Sequence, residues 1–161
     1  MKKTLHVPFQ LRTPAARAAF AAVQILQNAG HAAFFVGGVV RDMLLGRAAS
    51  DADVATSARP EDVMRLFEKS VPIGVAFGIV VVVIDGVSVE VETFREERGY
   101  SDGRRPDRVI YGDDPELDAT RRDFTVNGLF YDPVRGEVLD YVDGIEDLRR
   151  GVLRCIGDAA V

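Results

Sequence analysis

The sequence predicts a domain that mixes helices and strands, an α/β (α+β) fold. Residues 13–28 are rich in alanine and open with a threonine and a proline, a pattern typical of a helix N-terminus. Residues 78–94 are dense in β-branched residues and are interrupted by Asp85-Gly86, a pair typical of a tight hairpin turn. Residues 33–36 form a short apolar run that ends at two glycines, which is typical of a buried strand followed by a turn.

The other predicted elements follow at short intervals along the chain. Residues 57–69 predict a second long helix, because a proline and two acidic residues lie near its start. Residues 95–112 are polar and contain several glycines, which predicts a long loop. Further helices are predicted at residues 39–45, 113–122 and 145–150. Residues 71–94 as a whole are predicted to be β structure, and further strands are predicted at residues 138–139 and 152–156.

Composition argues against several classes of protein. The 161 residues are 47% hydrophobic and 28% charged, the balance of one ordinary domain with a core. No apolar run approaches the roughly 20 residues of a membrane span, and the single cysteine, Cys155, cannot form an internal disulfide. We therefore expect a cytoplasmic protein without a membrane partner. The net charge of −5 argues against indiscriminate nucleic-acid binding, and two distant histidines argue against a zinc cluster.

The stretch from Gly37 to Asp53 carries the strongest chemical pattern in the chain. Gly37 and Gly38 permit a tight turn that a ligand can approach closely, and free N–H groups of the next helix would face that ligand. Asp51 and Asp53 are two positions apart, so their carboxylates would project from the same side of a strand. A magnesium-bound nucleoside triphosphate requires such an arrangement. Either feature alone is more often structural than catalytic.

Glu90 adds a third acidic group to this pattern. The alternation along residues 87–94 puts valines on one face of the predicted strand and Ser88, Glu90, Glu92 and Phe94 on the other. Glu90 is therefore either an exposed carboxylate on a solvated strand face or a metal-directed group beside Asp51 and Asp53.

Several motifs, taken in order, resemble those of one family. Val-Gly-Gly-Val-Val-Arg-Asp at residues 36–42 precedes Asp51-x-Asp53, and Arg-Arg-Asp-Phe-Thr-Val-Asn follows at residues 121–127. Residues 89–95, 102–106 and 152–158 fit the same pattern. Residues 34–158 thereby resemble the class II tRNA nucleotidyltransferases (CCA-adding enzymes) and their bacterial poly(A) polymerase relatives.

The resemblance implies a nucleotidyltransferase head of the DNA polymerase β type, a small mixed sheet with flanking helices. It implies that Asp51 and Asp53 bind two Mg²⁺ ions and act in catalysis, with Glu90 as the third catalytic carboxylate. The nucleotide-binding residues that it implies are Gly37, Gly38, Arg41, Arg122, Asp123 and Asn127. Arg41 could also, or instead, pair with Asp42, and Arg122 with Asp123.

The resemblance further implies template-independent addition of CMP, AMP or both, from CTP and ATP, to the 3′ end of tRNA by a two-metal mechanism. Poly(A) polymerase, CC-adding and A-adding variants remain alternatives, as does a non-catalytic nucleotide-binding module. The family's base-selecting neck and its body and tail are not matched. We therefore expect residues 1–161 to be a single head domain, with tRNA held mostly by the unmatched regions. The glycine spacings of P-loop kinases and Rossmann dehydrogenases do not occur.

Overall fold

Helices and strands alternate along most of the chain in the computed structural model, which describes residues 2–8, 10, 12–48, 51–98 and 108–157. In chain order the elements are β1 (Lys3–His6), α1 (Pro14–Asn28), β2 (Ala33–Val36), α2 (Gly38–Leu44), β3 (Asp53–Thr56), α3 (Pro60–Leu66), β4 (Ser70–Gly74), β5 (Ile79–Ile84), β6 (Val87–Thr93), β7 (Arg95–Arg98), β8 (Arg108–Tyr111), α4 (Pro115–Thr120), β9 (Leu129–Asp132), β10 (Glu137–Asp140) and α5 (Gly144–Arg150). Short 3₁₀ turns lie at Val75–Phe77 and Thr125–Asn127.

Among the described residues, eight strands form one mixed sheet in the order β1-β10-β9-β2-β3-β6-β5-β4. Neighbouring strands run antiparallel except β3 and β6, which are parallel. β7 and β8 form a separate antiparallel pair. The predicted mixed sheet with flanking helices is therefore confirmed.

The two faces of the sheet bury different side chains. Helices α1 and α3 cover one face, where Val54 and Val91 belong to an aliphatic core together with Val23 of α1. The other face carries a smaller, partly aromatic cluster, in which the rings of Phe94 and Phe130 meet edge to face with centroids 6.2 Å apart. The first face is thus closed by helices, and the second face is the one that can present polar groups to a ligand.

Helix α1 begins and ends where the sequence predicts. Thr13 caps it, because its Oγ1 accepts a hydrogen bond from the N–H of Ala16 at 3.1 Å. Gly30, just beyond the helix, has φ +91°, a conformation that favours glycine. Ala19 and Ala22 are fully buried, since small side chains let the helix approach the sheet closely. No described helix is both long enough and apolar enough to cross a membrane.

Helix α3 is shorter than the predicted helix at residues 57–69. Hydroxyl groups hold the chain before it: Thr56 accepts from the N–H of Ala58 at 3.1 Å, and Ser57 accepts from Ala32 at 3.0 Å. The local bond from Ala58 competes with helical ones, and the bond from Ala32 ties Ser57 to the residue before β2, so the helix begins only at Pro60. At its other end Phe67 is buried in an extended conformation, and burial of this ring replaces a further helical turn.

Other predicted boundaries are also wrong. The expected loop at residues 95–112 contains the paired strands β7 and β8, while residues 99–107, with the motif at 102–106, lie outside the described residues. The expected strand at residues 152–156 makes one isolated bridge, between Phe124 and Cys155. Strand β1 was not predicted; it is defined by its pairing with β10, a contact that the N-terminal sequence does not reveal.

Candidate functional site

Strands β3 and β6 bring two predicted catalytic carboxylates together. Val54 lies opposite Val91 in this parallel pair, so Asp53 and Glu90, one position earlier on each strand, project from the same face. Both side chains are exposed, as is that of Asp51 two positions before Asp53. The structure therefore places Asp53 and Glu90 on neighbouring strands with the same orientation, and Asp51 lies two positions before Asp53.

The acidic groups act on one another electrostatically. Partial shielding from water raises the pKa of Asp53 to about 6, and the charges of Glu90, Glu92 and Asp51 contribute to this rise in that order. Arg122 opposes it. Because the Asp53 side chain keeps exposed surface, solvent screens part of the repulsion. A proton on Asp53, or a cation bound beside it, would reduce the repulsion that solvent does not screen.

A polar pocket of about 360 Å³ opens at the Gly37-Gly38 turn. Its lining residues are Gly37, Gly38, Arg41, Arg121, Arg122, Asp123 and Asn127. All six residues predicted to bind a nucleotide therefore line a single pocket, although they come from two segments far apart in the sequence. Arg121 is the one lining residue that the prediction did not include.

The two glycines shape the floor of this pocket. Gly37 has φ +75°, in the left-handed region where a side chain is strained. A Cβ placed on Gly38 would lie 3.3 Å from Nη2 of Arg41, so glycine leaves room for the guanidinium against the backbone. The pair thus permits both the turn between β2 and α2 and the close approach of Arg41.

Arg41 is held from two sides. Its Nε donates to Oδ1 of Asp42 at 3.2 Å, and its Nη1 donates to the side-chain oxygen of Asn127 at 2.9 Å. The amide nitrogen of Asn127 in turn donates to Asp123 at 3.4 Å. The predicted pairing of Arg41 with Asp42 is confirmed, and the contact with Asn127 fixes the guanidinium at the pocket as well.

Arg121 and Arg122 form a buried ionic cluster with two carboxylates. Asp118, which is fully buried, accepts from Nε of Arg121 and from Nη2 of Arg122, both at 2.9 Å. Glu92 accepts a second bond from Nη2 of Arg122 and lies 3.4 Å from Nη2 of Arg121. Burial lowers the pKa of Arg122, but the charges of Glu92 and Asp118 outweigh burial and raise it overall. Arg122 also lies over the ring of Phe130, 5.5 Å from its centroid.

The expected pairing of Arg122 with Asp123 is wrong. Asp123 Oδ1 instead accepts from the backbone N–H of Phe124 at 2.7 Å. Two sequence signals could have indicated the true partners. Asp118 precedes Arg121 and Arg122 by three and four positions in a predicted helix, a spacing that brings side chains together. Glu92 shares its strand face with Glu90 by the same alternation that identified Glu90.

The 3₁₀ turn that carries Asn127 is supported from below by α5. The hydroxyl of Thr125 donates to the buried carboxylate of Asp147 at 2.7 Å. Gly144, at the start of α5, lies so close that a Cβ placed on it would be 2.2 Å from the carbonyl oxygen of Thr125. Close backbone packing at Gly144 therefore holds the turn in place beneath the pocket.

The donor set suits a hard cation only in part. In the portion of the chain that the structure describes, no three or more histidine, cysteine, aspartate or glutamate side chains are grouped so that they could hold a metal ion. Mg²⁺, however, is commonly bound by one or two carboxylates together with water and substrate phosphates. Asp51 and Asp53 carry exposed carboxylate oxygens, which are donors of that kind, and Asp53 lies opposite Val36, directly before the Gly37-Gly38 turn.

Comparisons with known proteins identify relatives of this chain. The poly A polymerase head domain family model matches residues 33–154. A CCA-adding enzyme of Lactobacillus helveticus is 47% identical over 136 residues, which cover 84% of this chain and 34% of that enzyme. The crystal structure of the Bacillus stearothermophilus CCA-adding enzyme in complex with CTP superposes with a TM-score of 0.80 at 40% identity, covering 91% of this chain and 35% of that one. A tRNA nucleotidyltransferase complexed with a primer tRNA and an incoming ATP analog has a TM-score of 0.65 at 27% identity, covering 84% of this chain and 39% of that one.

The mixed sheet and its flanking helices are the DNA polymerase β-type nucleotidyltransferase fold of these structural neighbours. The chain belongs to the poly A polymerase head domain family. It spans about a third of the length of the curated relatives that it matches.

Proposed function

We propose that this chain is the catalytic head of a template-independent RNA nucleotidyltransferase. It transfers CMP, AMP or both, from CTP and ATP, to the 3′ end of tRNA. One observation carries the proposal: the pocket formed by the Gly37-Gly38 turn, Arg41, Arg122 and Asn127 opens beside the carboxylates of β3 and β6. Relatives described as bound to CTP, or to a primer tRNA with an ATP analog, support the choice of substrates.

The side chains of the pocket bind and orient the nucleotide. Arg41 and Arg122 present guanidinium groups, whose planar forks suit phosphate oxygens. The Gly37-Gly38 turn lets the triphosphate approach the backbone without meeting a Cβ. Asp123 and Asn127 lie on the same wall and would contact the sugar and phosphates. Together these groups aim the α-phosphate at the acidic residues.

Asp51 and Asp53 would hold two Mg²⁺ ions, with Glu90 beside them. When bound, the ions would lower the pKa of the primer 3′-hydroxyl and neutralise charge on the pyrophosphate that leaves. The raised pKa of Asp53 supports this assignment, because crowded carboxylates gain stability when a cation lies between them. Oxygen donors are also the ligands that Mg²⁺ prefers.

Poly(A), CC-adding and A-adding activities use the same chemistry and remain alternatives within the proposal. A non-catalytic nucleotide-binding module is the alternative of another class. The mutual repulsion of Asp53 with Glu90 and Asp51 favours an enzyme, because binding alone does not require carboxylates that repel one another. The tRNA is expected to be held mainly by regions that this chain does not match, and a cytoplasmic location stays a prediction.

Incubation of the protein with tRNA lacking its 3′ end, Mg²⁺ and each labelled nucleotide in turn tests the proposal. Products that grow by CC, A, CCA or a long A tail distinguish the four activities. Asp51→Ala and Asp53→Ala should each abolish transfer while the thermal unfolding transition persists. Asp113→Ala, which changes an exposed aspartate, is the matched control. Transfer that survives in the Asp51→Ala/Asp53→Ala double variant would overturn the assignment, and nucleotide binding without any product would favour the non-catalytic module.

A further inference from the structure

Glu92 has contacts that its neighbour on the same strand face lacks. Its carboxylate bonds to Nη2 of Arg122 and lies 3.4 Å from Nη2 of Arg121, so it touches two residues that line the polar pocket. Glu90 carries the same charge two positions earlier, yet none of its described contacts is with either arginine. Glu92 therefore acts on the pocket through the guanidinium groups.

The two carboxylates of the cluster are not equivalent. Asp118 is fully buried, so separation from the arginines would leave its charge unpaired inside the protein. The Glu92 side chain keeps 18% of its surface exposed, at the edge that also carries Asp53. Glu92 can thus be rehydrated at lower cost than Asp118, so it is the partner that Arg122 can exchange more readily.

The two carboxylates do not satisfy every donor of Arg122. Its Nη2 is shared between Glu92 and Asp118, while its buried Nε has no hydrogen-bond partner among the described residues. Two carboxylate charges therefore face a guanidinium that lines the pocket, and its attraction for an incoming polyphosphate is correspondingly reduced.

We propose that Glu92 is a positioning residue that acts as the exchangeable counter-ion of Arg122 and lowers the affinity of the pocket for polyphosphate. The inference rests on the proposed nucleotide-binding function of that pocket. When a triphosphate arrives, its oxygens take over the attraction that Glu92 supplies, while Asp118 keeps the guanidinium in place. When pyrophosphate leaves, Glu92 takes Arg122 back, which favours release of the product.

Binding of CTP and of inorganic tripolyphosphate in EDTA, measured by calorimetry at two salt concentrations, tests this role without metal or turnover. Glu92→Gln should bind both ligands about three- to tenfold more tightly than the wild type, with a steeper loss of affinity as salt rises. Its ligand-free melting temperature should fall, because Arg122 loses a partner. A residue with only a structural role would lower stability and affinity together.

Glu68→Gln is the control, because it removes the same charge from an exposed residue that does not line the pocket. Its Kd values should stay within about twofold of the wild type, since general repulsion alone acts weakly across solvent. Glu92→Asp provides a second variant that keeps the charge but withdraws it by one methylene. It should bind the two ligands with affinity between those of the wild type and Glu92→Gln.

Unchanged or weaker binding by folded Glu92→Gln, or equal tightening by Glu68→Gln, would overturn the counter-ion role and leave the proposed function standing. If Glu92→Gln does not fold, failure of Glu92→Asp to tighten binding has the same meaning. A wild-type protein that binds neither CTP nor tripolyphosphate would overturn the proposed function and this inference together.

Discussion

Arg41 on α2 donates a hydrogen bond to Asn127 on the second 3₁₀ turn, at 2.9 Å and across 86 positions of sequence. This bond joins the two segments that supply the walls of the polar pocket. Asn127 also donates to Asp123, so one amide orients a cation and an anion at once. The pocket is therefore a product of the fold, and neither segment forms it alone.

Asn127→Ala should weaken binding of CTP about three- to tenfold, because Arg41 loses its distal partner and the ligand loses a contact. The melting temperature should change little, since Asn127 lies at the surface of the pocket. Calorimetry with CTP and Mg²⁺ measures the effect. Asn28→Ala, at the exposed end of α1, is the control and should bind as the wild type does. Wild-type affinity in Asn127→Ala would contradict the role of this bond.

Asp53→Asn should stabilise the ligand-free protein near pH 7 and do so less at pH 4. The pKa of Asp53 is raised to about 6 from 3.8, so between these values the folded state binds more protons than the unfolded state. The stability that the Asp53 carboxyl contributes is fully present below its unfolded-state pKa of 3.8. It is lost as pH rises through the folded-state pKa of about 6. Asparagine, which carries no charge, avoids that loss.

Thermal unfolding in EDTA at pH 4.0 and pH 7.5 measures the difference. Glu68→Gln, which neutralises an exposed carboxylate, is the control. It should show the same melting temperature as the wild type at both pH values. If Asp53→Asn raises the melting temperature more at pH 4.0 than at pH 7.5, the direction of the Asp53 pKa shift is wrong.

Asp118→Ala should destabilise the domain by roughly 3–5 kcal/mol, because two arginines would lose their fully buried partner. Urea unfolding gives the free energy. Asp113→Ala removes a carboxylate that is 81% exposed, although it also pairs with an arginine, and should change stability by less than about 0.5 kcal/mol. Similar values for the two variants would argue against the buried cluster.

Gly144→Ala should cost about 3 kcal/mol of stability and weaken nucleotide binding, because its Cβ would collide with the carbonyl oxygen of Thr125. The collision would displace the turn that carries Asn127. Gly112→Ala is the control, since a Cβ there has no neighbour closer than 4.0 Å. Urea unfolding and CTP calorimetry report the two effects. Unaltered binding in Gly144→Ala would show that α5 does not position the turn.

Local patterns were sufficient to predict much of the site. The glycine pair, the Asp51-x-Asp53 spacing and the alternation around Glu90 each have a short-range physical cause, and the structure brings these groups to one side of the sheet. The signals that predicted helix α1 were likewise local, because its capping threonine and the glycine after its end lie in the same segment.

The predictions that were wrong concern features that depend on contacts between residues far apart in the sequence. Strand β1 exists through its pairing with β10, more than 130 residues away. The predicted partner of Arg122 was wrong. Asp123, the adjacent carboxylate, accepts a bond from the backbone, while Glu92 reaches the arginine from β6. Competition among several nearby acids is decided by packing, which a pattern of residue types does not specify.

Along β6 the predicted catalytic carboxylate Glu90 and the core residues Val89 and Val91 lie on opposite faces of one strand. Deletion of a single residue between Gly86 and Val89 would move every following side chain of the strand to the opposite face. Carboxylates would then point into the apolar core, and valines would point toward the candidate site. Redesign of this strand must therefore keep its length, and only paired insertions of two residues would preserve both surfaces.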